Sequence, residues 1–196
     1  MTSFPLHNFA GRSALVLHRS EEPMRRVAER CDRLGIRATR HSGDLDARAL
    51  RGIDMVILDI DTGHDGQFPW EPGQAPLPLI GLVGSESPGR LAWALGQKVD
   101  AYLPVSALGT LFSALVVAHE TFARKGHERE REAEAARQRA GRLDVIRGVL
   151  ALMQDGVDEA LALKKLRAMA MVERISIEDA ARRVLSEGDA AEMGRR

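Results

Sequence analysis

The chain has 196 residues, enough for one medium domain with an appendage or for two small domains. Hydrophobic residues make up 44% of it and charged residues 29%, so it can bury a core, and global disorder is not expected. Its 28 basic and 28 acidic residues balance, which argues against a uniformly basic nucleic-acid binder but permits a local basic face.

Cys31 is the only cysteine, which excludes an intrachain disulfide and a cysteine-based zinc site and favours a reducing compartment. The opening letters MTSFPLHNFAGRS lack the pattern of a signal peptide, and no stretch approaches the roughly 18 apolar residues of a membrane span. We therefore expect a cytoplasmic protein with no membrane partner.

The first predicted elements are a strand, a helix and a second strand. The apolar run SALVLH (13–18) is typical of a buried strand. In the following segment, 20–35, apolar residues recur at helical spacing between Ser20, a candidate N-cap, and Gly35, a candidate left-handed C-terminal cap. The alternating arginines of IRATRH (36–41) predict a weaker strand at a sheet edge.

Three more strands and one helix follow. The nearly continuous apolar run DMVILDI (54–60) predicts a central strand that is covered on both faces. Further strands are predicted at 78–84 and 99–105, with a helix at 88–96 between them. The segment 62–78 is too rich in Gly and Pro for a helix, so one crossover is predicted to be a loop.

Strands separated by helices predict right-handed crossovers and a parallel sheet. The expected fold class is therefore α/β, with a flavodoxin-like, five-stranded, doubly wound domain over residues 11–117. The rest of the chain is predicted to be a long coiled-coil helix, with a linker at 118–142, and a three-helix bundle at 143–190.

The long helical run begins near residue 106 and contains no proline. Its heptad-like seam is apolar at both ends and charged in the middle, where it passes Lys125, Arg129 and Glu132. A solvated single helix can show the same pattern, but burial of the apolar ends favours a dimeric coiled coil. The predicted dimerisation residues are Leu111, Leu115, Phe122, Leu143, Ile146 and Leu150.

Two short helices complete the predicted bundle. Asp158 and Glu159 lie in the first turn of one helix, where negative charge complements the helix dipole. Ser176 and Asp179 form the spacing of a capping box at the start of the other.

Asp59 follows the central strand, at the position of a phosphate-accepting carboxylate. Phosphoryl transfer there needs a divalent cation held by several oxygen ligands. His18 and Arg19 stand where the partner carboxylates are needed, and Leu103 or Val105 stands where a lysine is expected. We therefore interpret Asp59 as a vestigial phospho-acceptor position with no metal, structurally satisfied by Arg19 or by backbone donors.

An alternative, a working phosphate site, stays open. Gly84 ends the fourth strand where a hydroxyl residue is usual, with Ser85 one position later. Three further carboxylates could supply oxygen ligands in that alternative: Glu21, Glu22 and Asp61.

The first half of the sequence resembles a response-regulator receiver domain in degenerate form. The segments RGVLALM, DEALALKKLRAMAM and IEDAARRVL resemble the ANTAR domain. The order of degenerate receiver, long helix and ANTAR bundle is similar to the AmiR/NasT-type transcription antiterminators, over essentially the whole chain after about residue 11. In the first ANTAR helix the family's Ala-Lys-Gly run reads Ile146, Arg147 and Gly148 here.

The resemblance implies that a homodimer binds hairpins in nascent leader mRNA and prevents terminator formation. Because the phosphate site is interpreted as lost, we expect control by a ligand-sensing partner protein rather than by phosphorylation. Phe68, Trp70 and Trp93 are candidate contact residues, and ordinary packing against the sheet is the alternative for Trp93. Arg147 stands at the family's lysine position. The candidate RNA-binding cations are Arg147, Lys164, Lys165, Arg167, Arg174, Arg182 and Arg183.

Other function classes have less support in the sequence. A Gly-rich phosphate loop, a nucleophile elbow and a coherent acid/base pair are all missing from it, so we expect neither enzymatic activity nor a cofactor. Two alternatives remain: a phosphorylation-dependent response regulator with a DNA-binding output, and a protein-interaction scaffold.

Overall fold

Five parallel strands form the centre of the first part of the chain. They are β1 (Ser13–Leu17), β2 (Arg37–His41), β3 (Met55–Asp59), β4 (Leu79–Val83) and β5 (Ala101–Pro104), arranged in the order β2-β1-β3-β4-β5. The order reverses direction beside β1, which defines a doubly wound, flavodoxin-like sheet. The predicted fold class is confirmed.

The computed structural model describes residues 7–153 and 156–193, with side chains up to residue 188. The described chain forms two compact units, of which the first ends at Gly126 and the second begins at His127. This division falls inside the predicted linker, 118–142, and each unit is treated separately below.

The burial of the strands follows the sequence pattern. Every residue of β1 and β3 is buried, as expected for central strands covered on both faces, whereas β2 is mostly exposed. In the parallel register Val16 pairs with Arg40 of β2 and with Ile57 of β3. The edge position predicted for the second strand is thus confirmed.

Two helices connect the strands as predicted. Helix α1 (Glu21–Arg33) ends before Gly35, whose φ of +72° is the left-handed conformation that glycine adopts without strain. Ser20 occupies the N-cap position, but its side chain makes no capping hydrogen bond. Helix α2 (Pro88–Gly96) has the predicted bounds.

A 3-10 turn (Val105–Thr110) leads into α3 (Leu111–Met153). Leu111 and Leu115 are only 0% and 1% exposed and pack in the core against β1 and β3, together with Val27 of α1. Their assignment to a dimer seam is therefore wrong. An apolar stripe on this helix is equally suited to a sheet face, and the sheet of the same chain covers it.

One described helical stretch, Val105–Met153, contains an 18-residue window with a mean hydropathy of 1.4 and is apolar enough to cross a membrane by length and composition alone. This differs from the prediction that no stretch approaches a membrane span. Leu111, Leu115 and Ala118, which lie in this helical stretch, are buried on the sheet.

The second unit contains the C-terminal part of α3, α4 (Glu159–Glu173) and α5 (Ile177–Met193). A Cβ added to Gly148 would lie 2.9 Å from the Cβ of Ala181, so α3 and α5 approach closely at this glycine. The small core consists of Val149, Ala162, Leu166, Ala170, Ala180 and Ala181.

Side-chain caps define the starts of α4 and α5. Asp158 accepts a 2.8 Å hydrogen bond from the backbone N–H of Leu161. The hydroxyl of Ser176 accepts from the N–H of Asp179 at 3.0 Å and donates to its carboxylate at 2.8 Å. This hydroxyl bond lowers the pKa of Asp179, with a further contribution from Arg182. The predicted N-cap role of Ser176 is confirmed, with Asp179 bonded to its hydroxyl as a near equivalent of a capping box.

Candidate functional site

The carboxylate of Asp59 lies at the end of β3 and is almost fully buried. Its Oδ1 accepts a 3.0 Å hydrogen bond from the N–H of Asp61, and its Oδ2 accepts a 2.6 Å bond from the hydroxyl of Thr62. Arg19 is exposed, and no ion pair between it and Asp59 is found in the described structure. Asp59 is thus satisfied by local donors and not by the arginine that the sequence offered as an alternative.

His18 also faces this carboxylate. Its Nδ1 accepts a 2.9 Å hydrogen bond from the N–H of Ser20, which leaves the ring proton of the neutral imidazole on Nε2. Nε2 lies 3.8 Å from Oδ2 of Asp59. A ring nitrogen therefore lies beside Asp59 at the position where a cation site would need an oxygen ligand.

Asp61 is held in a second set of hydrogen bonds. Its Oδ2 accepts from the N–H groups of Gly84 and Ser85 at 2.9 and 2.8 Å, and its Oδ1 accepts from the Ser85 hydroxyl at 3.2 Å. A Cβ at Gly84 would lie 2.6 Å from Oδ2 of Asp61, so only glycine leaves room for this contact. This role is not visible in the sequence, because it depends on two loops meeting.

The other carboxylates considered as oxygen ligands have partners elsewhere. Glu21 pairs with Arg40 at 2.6 Å, and Glu22 pairs with Arg25 at 2.8 Å. Within residues 7–153 and 156–188, no group of three or more His, Cys, Asp or Glu side chains is placed to hold a metal ion. At the end of β5, Leu103 is buried in the core.

The loop after β3 is ordered by aromatic packing. The ring of Phe68 stacks on that of Trp70 at 4.9 Å and on that of Trp93 at 6.2 Å. Trp93 covers Gly63, and its indole N–H donates to Asp65 at 3.2 Å. Phe68 is buried by these contacts, and the two tryptophans are half-buried. A role of Phe68 as an exposed partner contact is therefore contradicted.

All seven cations proposed from the resemblance are exposed on the second unit. Arg182 pairs with Asp179 at 2.9 Å and with Asp144 at 3.5 Å, and Arg183 pairs with Glu173. No salt bridge is found, among the side chains described, for the other five cations, which are Arg147, Lys164, Lys165, Arg167 and Arg174.

Three residues of the predicted dimer seam lie in the second unit and are exposed. Leu143, Ile146 and Leu150 are 53%, 56% and 54% exposed, and their spacing of three and four residues places them on one side of α3. Phe122, in the first unit, is half-buried. Dimerisation through these residues stays a prediction.

Exposed apolar side chains also occur on α4, where the sequence analysis had noted mainly cations. Met171 and Val172 are 81% and 83% exposed, and Leu161 is 46% exposed. Ala162, Leu166 and Ala170 form the buried side of the helix. The helical spacing of Leu161, Met171 and Val172 relative to these three residues would have been enough to predict their exposure.

A comparison with protein-family models finds no match, and neither does a comparison with curated proteins. The chain is similar to the solved structure of full-length FixJ from B. japonicum, with 17% identity, 92% of this chain and 91% of that chain covered, and a TM-score of 0.41. The RcsB response regulator of Salmonella typhimurium is 15% identical, with 93% of this chain and 90% of that chain covered and a TM-score of 0.40. A response regulator receiver protein from Burkholderia phymatum is 21% identical, with 47% of this chain and 82% of that chain covered and a TM-score of 0.37.

The fold class stated above rests on the strand order and register of this chain. It is the receiver-type α/β class, followed by a long helix and further helices.

Proposed function

We propose that this protein is a cytoplasmic, RNA-binding regulator of transcription antitermination, which binds hairpins in nascent leader mRNA as a homodimer. The observation that supports this proposal most directly is the set of five exposed cations on the second unit that have no carboxylate partner among the described residues. Such cations are free to neutralise phosphates, in agreement with the function implied by the resemblance to ANTAR proteins. Under this proposal the protein is not an enzyme and uses no cofactor.

The mechanism is thermodynamic. Specific RNA recognition mostly targets unpaired bases in loops, while cationic side chains hold the flanking phosphates. Binding to an early hairpin stabilises that hairpin by mass action and disfavours the competing terminator. RNA polymerase then continues transcription.

Regulation by a ligand-sensing partner protein is part of the proposal. The hydrogen bonds of Asp59 to Asp61 and Thr62, together with His18, support a position that no longer accepts phosphate. Control must then come from a binding event that favours or masks the RNA-competent dimer.

The test is binding of the purified full-length chain to a hairpin-containing leader RNA from its own operon. Scrambled RNA of equal length and the matching duplex DNA are compared at one salt concentration. An Arg147→Ala variant runs beside an Arg137→Ala control, because Arg137 is exposed but already paired with Glu134 at 2.7 Å.

Selective hairpin binding that is weakened by Arg147→Ala and unchanged by Arg137→Ala supports the proposal. Equal and strongly salt-sensitive binding to all three nucleic acids contradicts it. Binding to DNA alone would favour the DNA-output alternative, and no binding to any of them would favour a protein-interaction scaffold.

A further inference from the structure

The outward face of α4 combines apolar and cationic side chains. Its buried side is formed by Ala162, Leu166 and Ala170, which recur every four residues. On the opposite side lie Leu161, Lys164, Lys165, Arg167, Met171 and Val172, all exposed, which we call the α4 face.

The apolar members of the α4 face are unusually open for a small domain. More than four fifths of the surface of Met171 and of Val172 is exposed. The buried core of the same bundle contains only small and aliphatic residues, and neither of these two side chains belongs to it. An exposed methionine beside an exposed valine adds nothing to the packing of this unit. Apolar side chains that are rimmed by polar ones commonly mark an interaction site.

The charges of the α4 face identify the kind of partner. Lys164, Lys165 and Arg167 make no salt bridge in the part of the chain that the structure describes. Arg174, which follows directly, caps α4 in the left-handed conformation with φ +56°, which is uncommon for a residue with a side chain. Arg167 and Arg174 lie within about one turn of Met171 and Val172 along the chain, and Lys164 and Lys165 lie about two turns earlier on the same face. These four cations, for which no salt bridge is found among the described side chains, favour a polyanion.

The two cations of α5, Arg182 and Arg183, do have carboxylate partners. Arg182 is held by Asp144 and Asp179, and Arg183 is held by Glu173. A phosphate would have to compete with these carboxylates at close range. The electrostatic attraction for an anionic partner is consequently stronger at α4 than at α5.

We propose that the α4 face is the surface that reads unpaired bases of an RNA loop, with Met171 and Val172 against the bases and the lysines on the flanking phosphates. This inference rests on the proposed function. The bundle, 143–190, has no Phe, Tyr or Trp on which bases could stack. The polarisable thioether of methionine makes favourable contacts with aromatic rings, so Met171 takes the place of an aromatic platform.

The experiment compares the full-length wild type with the double variant Met171→Ala/Val172→Ala. Affinity is measured for the leader hairpin and for an RNA duplex that has the same stem but no loop, over a series of salt concentrations. The matched control is Leu95→Ala, an exposed apolar residue of the first unit. Circular dichroism checks that each variant stays folded, which the exposure of both side chains favours.

We expect the double variant to lose about tenfold in hairpin affinity, with its affinity for the loop-free duplex and its salt dependence unchanged. The variant Lys164→Ala/Lys165→Ala should instead weaken binding to both RNAs and reduce the salt slope. The Leu95→Ala control should behave as wild type.

The two proposals fail in different ways. If wild type does not bind the hairpin, the proposed function fails, and the α4 inference fails with it. If wild type binds selectively but the Met171→Ala/Val172→Ala variant binds equally well, only the α4 inference is overturned. A double variant that binds RNA normally but changes its sedimentation, or loses adsorption to anionic lipid vesicles, would assign the face to a second copy or to a membrane surface instead.

Discussion

Lys125 of α3 donates a 2.8 Å hydrogen bond to Oδ1 of Asp100, a residue that precedes β5 and whose side chain is only 2% exposed. The same ammonium group donates to the carbonyl of Lys98 at 2.7 Å, and Oδ2 of Asp100 accepts from the N–H of Leu79. The sequence had placed Lys125 at the charged centre of a coiled-coil seam. Its hydrogen bonds instead connect α3 to the segment that precedes β5.

Substitution Lys125→Met should destabilise the first unit by about 3 kcal/mol, because it leaves the buried charge of Asp100 without its partner. The measurement is urea unfolding followed by circular dichroism. Arg124→Met is the control, because Arg124 is exposed and no ion pair is found for it in the described structure. Equal effects of the two substitutions would contradict the role of Lys125.

Substitution Gly148→Ala should destabilise the second unit by about 1–3 kcal/mol through overpacking against Ala181. Gly188→Ala, on α5, has open space around the added Cβ, and it should stabilise the helix by about 0.5–1 kcal/mol. Chemical unfolding of both variants gives the comparison. A stabilising Gly148→Ala would show that the two helices can separate without cost.

Incubation with acetyl phosphate and Mg²⁺ should leave Asp59 unmodified, because His18 and the donors from Asp61 and Thr62 occupy its surroundings. Intact-mass spectrometry reads the outcome, and the Asp59→Asn variant is the reference. An adduct that forms on wild type and is absent from the variant would establish a working phosphate site.

Substitution Ile146→Asp should convert the dimer into a folded monomer, because it places a charge in the middle of the exposed stripe formed with Leu143 and Leu150. Sedimentation velocity measures the oligomeric state. The control is Ala133→Asp, an exposed position on the same helix that lies on a different side of α3 from the stripe. A monomeric wild type, or a variant that remains dimeric, contradicts the prediction.

Acid should remove a contribution that Asp54 makes to stability. The N–H of Ser13 donates to this carboxylate at 2.8 Å and lowers its pKa, with a smaller contribution from Arg12. Because the folded-state pKa lies below the unfolded value of about 3.9, the contribution is complete above that value and is lost as the pH falls through the folded-state pKa.

The free energy of unfolding of Asp54→Asn should therefore be about 1 kcal/mol below wild type at neutral pH, and the two should converge in acid. Asp32→Asn, at an exposed position, serves as the control. If the difference in free energy of unfolding between wild type and Asp54→Asn grew as the pH fell, the prediction would be wrong.

Much of the first unit could be predicted from the sequence. The apolar runs of β1, β3 and β4 and the proline and glycine signals around α1 and α2 are local, and they predicted the correct elements. The capping box of Ser176 and Asp179 is local as well, and its hydrogen bonds were predictable from spacing alone.

The errors arose where an interaction depends on tertiary packing. The stripe of Leu111 and Leu115 has the same periodicity whether it faces a second helix or a sheet, so spacing could not identify its partner. Likewise, nothing local in the sequence says that Asp61 will reach Gly84. The sequence also left open whether Arg19 would pair with Asp59, whose carboxylate instead accepts from Asp61 and Thr62. Ion pairing, which separates the cations of α5 from those of α4 for which no salt bridge is found among the described side chains, also required the structure.

The contacts of Asp61 have a consequence for how this domain can change over evolutionary time. Two backbone N–H groups and a hydroxyl, all at Gly84 and Ser85, form a small anion receptor that a carboxylate of the same chain already fills. An incoming phosphoryl group would have to displace this tethered anion, whose effective concentration is high. Replacing His18 and Arg19 with carboxylates would leave that obstacle in place, so a phosphate site at Asp59 would require several coordinated substitutions.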